Sequence, residues 1–200
     1  MKTFKLIFFA ALFLVAVNIN AQDKKVTFGV KAGLNVSNIG AEDKAFDNTS
    51  AKTGFHAGIT LDYAFTHQWY LLTGLEYSSK GVKIDLGGSS DLNVTAAYVQ
   101  LPLCAGFKLG ITDDLGILFD LGPYFAYGLH GKSKIGSSEI DTFSKDWVKK
   151  FDCGIHFGVG LEWQKMTFGF GGESGMVNIM QEGNSKAETR NFKVSVGYKF

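Results

Sequence analysis

Proline occurs only twice in this 200-residue sequence, and so does cysteine. Proline removes a donor from a strand ladder, so its scarcity leaves long stretches free to pair. Cys104 and Cys153 stand far apart, with no Cys-x-x-Cys or His-x-His spacing, which excludes a zinc framework and a dithiol redox motif. An excess of one charge is missing too. Lys and Arg number 20 against 19 Asp and Glu, which argues against the basic stripe of a nucleic-acid binder. No apolar run reaches the roughly 20 residues of a membrane-spanning helix.

The one notable apolar run, residues 6–17, follows Lys2 and Lys5 and precedes Ile19, Asn20 and Ala21. A basic start, a short apolar core and a small residue at the cut are the parts of a secretory signal peptide. Residues 1–21 are therefore expected to be cleaved before Gln22, leaving 22–200 as a single domain. No cysteine follows the run to be acylated. The two signal lysines leave with the peptide, which takes the net charge to −1.

Abundance lies elsewhere, in 25 glycines and 18 phenylalanines. The mature chain repeats one pattern eight times, apolar residues alternating with polar residues or glycine. Residues 26–37 set Val26, Phe28, Val30, Ala32, Leu34 and Val36 against Thr27, Gly29, Lys31, Gly33, Asn35 and Ser37. The last stretch sets Phe192, Val194, Val196, Tyr198 and Phe200 against Lys193, Ser195 and Gly197. A period of two marks a strand with unlike faces. Short links at 66–68, 110–114 and 164–165 alternate with long polar ones at 38–52, 81–92, 132–149 and 178–190. This layout predicts an all-β fold, an eight-stranded antiparallel up-and-down transmembrane β-barrel of the outer-membrane type. Both termini then lie at the short-turn end, on the periplasmic side.

A soluble, lipocalin-like ligand-binding barrel is the alternative. The apolar face carries no charged residue or histidine on any stretch, and the polar face is rich in glycine, as a crowded lumen would be. Aromatic residues gather near the stretch ends: Phe65, Trp69, Trp163 and Phe200 at one end, Phe55, Tyr77, Tyr127 and Phe151 at the other. Such girdles mark the two interfaces of a bilayer, and membrane insertion is the reading adopted.

The stretch AAYVQLPLCAGFKL resembles the Tyr-x-x-Ile/Leu-Pro-Leu strand of the PorT-like outer-membrane β-barrel family of Gram-negative bacteria. LFDLGPYFAYGL, GIHFGVGLEW, SGMVNI and the closing VSVGYKF are similar to further segments of that family, in the same order. The resemblance implies a small porin-like barrel in the outer membrane. It brings no catalytic residues, and the secretion role of the family's name giver is not carried over.

Eight strands leave a lumen that side chains fill, so no wide pore is expected. Lys31, Asp62, Glu76, Asp120, His156, Glu173 and Lys193 are the expected lumen charge network. Lys31 is expected to meet Asp62, and Glu173 to meet Lys193, because unpaired charges in a low-dielectric interior are costly. His56, His130 and His156 are placed in the same polar interior. No catalytic, cofactor-binding or metal-binding residue is expected; a lipid-modifying outer-membrane enzyme is the alternative function. Expected partners are outer-membrane lipid and lipopolysaccharide, the barrel-assembly machinery and a protein at the extracellular loops, with no nucleic acid. The resemblance adds that a terminal aromatic, here Phe200, is read as an assembly signal.

Overall fold

The computed structural model describes residues 25–41, 49–85, 91–135, 138–143, 149–178 and 187–200. The expected signal peptide lies outside the described residues. Nine strands follow in order: β1 (Val26–Ala41), β2 (Thr49–Ala64), β3 (Trp69–Asp85), β4 (Asp91–Gly110), β5 (Leu115–Ile135), β6 (Ser138–Asp141), β7 (Phe151–Trp163), β8 (Met166–Gly175) and β9 (Ala187–Lys199). Each of the eight long strands pairs antiparallel with its sequence neighbours, β5 passing directly to β7. One further seam, β1 with β9, completes an eight-stranded closed barrel. The β1–β9 seam runs from Gly29 opposite Lys199 to Ala41 opposite Ala187, and the Phe200 amide donates to the Phe28 carbonyl at 2.9 Å.

The ninth strand, β6, is an addition to the expected count. It pairs with the far end of β5, Lys132 to Ile135, as a four-residue flap. The links are also shorter than expected, because the alternation continues into them. Val82 lies opposite Val94 and Ile84 opposite Leu92, and Val82 and Ile84 are buried. β5 reaches 21 residues, where about 9–11 tilted residues cross a bilayer. The wall therefore continues well past any membrane at the long-loop end.

The period of two sorts side chains as expected. Leu121, Phe157 and Phe170 are 55–60% exposed on the outside, while Tyr124, Asn35, Glu76 and Asp152 are almost wholly buried inside. Cys104 is buried in the lumen, and Cys153 sits among outward residues two strands away; both are free. The alternation fails for one histidine. A bulge between Ala97 and Tyr98 of β4 and Gly128 and His130 of β5 adds a residue to β5, and this turns His130 outward. It is exposed and lies against the Tyr77 ring, with centroids 6.2 Å apart. The expected lumen position of His130 is thus corrected, because an extra residue inverts the parity of every residue beyond it.

At the opposite end the turns are tight. Phe65 donates its amide to the Trp69 carbonyl at 2.8 Å, and Thr66 Oγ1 accepts from the Gln68 and Trp69 amides. The two-residue turn between β7 and β8 puts Gln164 in the left-handed region, at φ 55°.

Candidate functional site

The concentrated chemistry of this fold lies in its lumen, where strands from all sides contribute alternate residues. At mid-height Glu76 and Glu173 stand back to back. Lys193 bridges them, bonding Glu76 and lying 2.9 Å from Glu173 Oε1. Lys31 completes the Glu76 side at 2.8 Å. Around Glu173, Lys80 lies 3.0 Å away, Gln100 donates at 2.5 Å and Asn191 at 3.1 Å. His156 Nε2 meets Asp120 at 2.8 Å, and its Nδ1 points at Glu173 from 3.6 Å.

Two of the expected network pairings therefore resolve differently. Glu173 and Lys193 do meet, whereas Lys31 and Asp62 do not. In the β1–β2 register Lys31 faces Gly58, and Asp62 faces Thr27 four residues lower. Gly58, opposite Lys31 on one side and Glu76 on the other, leaves room for the lysine to reach over it to Glu76 on β3. Asp62 belongs to a separate tier at the short-turn end, where Lys199 lies 2.7 Å from it and 2.6 Å from Glu162, with Lys108 also on Glu162.

Lys80, Asp152, Glu162 and Lys199 join the charged interior as well, outside the expected network. The odd-number parity shared with Lys193 was the available signal for Lys199. Parity could not give the links between strands that are not adjacent, such as Lys80 of β3 to Glu173 of β8. Higher in the lumen, Asp152 accepts from Tyr124 at 3.2 Å and from Thr189 at 3.0 Å, and Lys80 sits 4.7 Å over the Tyr124 ring. Phe143, just after β6, packs edge-on to Tyr98 at 5.8 Å and caps a cluster of Ala96, Tyr98, Tyr124 and Ala126. The glycines keep this interior passable for longer neighbours: a Cβ at Gly33 would strike the His56 ring, and one at Gly158 the Asp120 carboxylate.

Two arrangements have the outline of reactive chemistry. His56 joins Ser195 Oγ through Nε2 at 2.8 Å and Asn35 Oδ1 through Nδ1 at 2.8 Å, the connectivity of a nucleophile, a base and an orienting group. His56 is only 1% exposed, however, and the adjoining space among the lysines is about 110 Å³. That is the volume of a few waters and cannot take an acyl chain. Cys104, Asp120 and His156 bring a sulfur, an oxygen and a nitrogen within 4.8 Å of one another, although their sequence spacing offers no metal motif. The Asp120–His156 ion pair already engages two of the three, and Lys31 and Lys193 share the adjoining cavity, which sets two ammonium groups against a cation. Asp152, four residues before His156, bonds Tyr124 and Thr189 rather than any histidine.

The family model described as outer membrane protein beta-barrel domain matches residues 20–181. No curated protein matches the sequence. Among solved structures, Neisserial surface protein A is similar at a TM-score of 0.50 and 11% identity, covering 86% of this chain and 97% of that one. The attachment invasion locus protein Ail of Yersinia pestis has a TM-score of 0.46 and 13% identity, with 88% and 99% covered. The outer membrane protein OprG of Pseudomonas aeruginosa has a TM-score of 0.48 and 13% identity, with 87% and 95% covered. The first of these likenesses shows a shared fold.

Removing the cation between two buried carboxylates tests the lumen network. Lys193→Met should lower stability by about 3–5 kcal/mol, the usual consequence of stranding one partner of a buried ion pair. Urea unfolding in detergent micelles, followed by heat-modifiable gel mobility, measures it. A change within error of the surface variant Lys165→Met would show that the network adds nothing.

Proposed function

The chain belongs to the outer membrane protein beta-barrel domain family, and from that premise we propose that it works as a closed display barrel, holding loops at the cell surface rather than conducting solutes or catalysing a reaction. The protein is an integral outer-membrane barrel with a side-chain-filled lumen. The observation that carries the proposal is the closure of that lumen: Lys80 of β3 meets Glu173 of β8 across it, Lys199 lower down bridges Asp62 of β2 and Glu162 of β7, and Phe143 packs edge-on to Tyr98 at the long-loop end. The strands also continue past the membrane, which stiffens the base of the loops. The proposed partners are lipopolysaccharide around the barrel and a protein at the loops, and the finer kinship proposed is with PorT-like barrels. The signal peptide at 1–21, with the cut before Gln22, belongs to the same proposal.

Planar-bilayer recordings with the purified barrel test closure. No stable channel steps are expected, whereas a reproducible open conductance would overturn the proposal. A pull-down from native outer membranes, with the barrel as bait and its loop-exchanged variant as control, tests the interaction role.

The Ser195–His56–Asn35 chain favours a second reading, hydrolysis of an ester. Burial of His56 and Asn35, beside so small a space, weighs against it. Wild type and Ser195→Ala should release equal, background amounts of product from labelled phospholipid and from a soluble short-chain ester. Loss of a measurable turnover in Ser195→Ala would establish the enzyme instead.

Phe200 is proposed as the assembly signal. It is half exposed and lies edge-on to Tyr198 at 5.5 Å, so as an ordinary girdle aromatic it would matter no more than Phe65, which is similarly exposed. Phe200→Ala should refold normally in detergent yet leave unassembled protein in the periplasm. Phe65→Ala should assemble normally in cells, and equal behaviour of the two would reduce Phe200 to a girdle residue.

A further inference from the structure

The lumen balances its own charges, but the outer wall at the long-loop end does not. The outward row Ala57, Tyr77, Val99 and Tyr127 belongs to the upper aromatic girdle. Beyond it come three rungs across β3, β4 and β5: Ser79–Ala97–His130, Gly81–Thr95–Lys132 and Lys83–Asn93–Lys134. Small residues at 79, 81, 95 and 97 sink the wall between long neighbours. The result is a recess of about 440 Å³ whose rim carries Lys52, Lys132, Lys134, His130 and Tyr77, with no carboxylate among the described residues that line it.

The cations converge from two sides. Lys52 of β2 lies across Gly81, where a Cβ would touch its stem, and donates to Thr95 Oγ1 at 2.7 Å. From the other side come Lys132 and Lys134 of β5. Glu139 of β6 lies 2.7 and 3.2 Å from these two, one carboxylate against two ammonium groups. Lys83 of β3 is paired with Asp91 of β4 at 2.6 Å, and Asp141 of β6 accepts from the Phe143 amide. Burial, and then the Lys134 ammonium, lower the Lys52 pKa from its ordinary value, as expected where like charges are crowded.

We propose that this recess binds the phosphate group of a phosphorylated lipid of the outer leaflet, with Lys52, Lys132 and Lys134 as its ligands and Thr95 at its floor. The proposal rests on the barrel standing in the outer membrane. Depth selects the occupant. The first two rungs lie two and four residues past Tyr77, about 7 and 13 Å along a strand, and less along the normal of a tilted wall. At a tilt of roughly 45° these become about 5 and 9 Å. The first rung thus lies within the headgroup layer, about 5–7 Å thick beyond the hydrocarbon, and the second just outside it, from where long lysine stems reach back. Directly below, Ile59, Leu75, Leu101 and Phe125 are exposed on the outside and offer an apolar wall to acyl chains. A phosphate in the recess would satisfy the surplus ammonium groups by charge-assisted hydrogen bonds, which are stronger than neutral ones.

The test uses the full barrel in phosphatidylcholine nanodiscs doped with bisphosphorylated or dephosphorylated lipid A, with lipid retention read by native mass spectrometry. Wild type should retain the phosphorylated lipid selectively. The triple variant Lys52→Gln, Lys132→Gln, Lys134→Gln should bind it about tenfold more weakly or worse, since each lost charged hydrogen bond contributes on that scale. Ala97→Phe, which fills the recess without changing charge, should weaken it as well, while Lys149→Gln with Lys150→Gln should not. Equal retention of both lipids by wild type, or undiminished retention by the triple variant, would overturn the proposal. Displacement by equimolar inorganic phosphate would overturn the lipid assignment. Heat-modifiable mobility and detergent partitioning of each variant report the membrane barrel independently, so a failed lipid site leaves that reading separately decided.

Discussion

Backbone closure is the constraint on which everything else in this molecule depends. A sheet in hydrocarbon cannot leave an edge of unpaired amides and carbonyls, since each would cost several kcal/mol. The β1–β9 ladder removes the last edge, joining strands from opposite ends of the chain. Once the seam forms, every residue is committed to one of two faces. Apolar residues then meet lipid, and everything polar is forced into a narrow interior.

That interior accounts for the charged network. Lysines and carboxylates that hydrate freely in the unfolded chain are brought into a space with little room for water, where only mutual pairing makes their burial tolerable. Glu76 and Glu173 each require more than one cation, and Lys193 is shared between them. Glycine at positions such as Gly33 and Gly158 makes the crowding possible by giving up a side chain where a neighbour needs the volume. The cross-links fill the lumen, and the same physics that stabilises it crowds its interior.

Outside the membrane the wall is under a different rule. Strands that continue beyond the lipid meet water on their outer face and need no apolar stripe there. Bulges then become tolerable, and the one in β5 turns His130 outward beside Tyr77. The same extension places Lys52, Lys132 and Lys134 around a recess at headgroup depth.

The alternation of residues 26–37, the run from Phe192 to Phe200, and the sequence of short and long links determined the barrel, its strand number and its two faces, because a period of two and turn length are local properties of the chain. Lys31, Glu76, Glu173 and Lys193 could be assigned to the lumen on the same ground. Their partners could not. Lys31 reaches over Gly58 to Glu76, on the same rung two strands away, instead of to Asp62 on the neighbouring strand, because register is set only when the strands pair. The chain's local pattern also did not mark the bulge that reverses His130, the flap formed by β6, or the approach of Ser195 to His56 and of Cys104 to Asp120 and His156. Alternation tells which way a side chain points, but closure of the tertiary structure decides what it meets there.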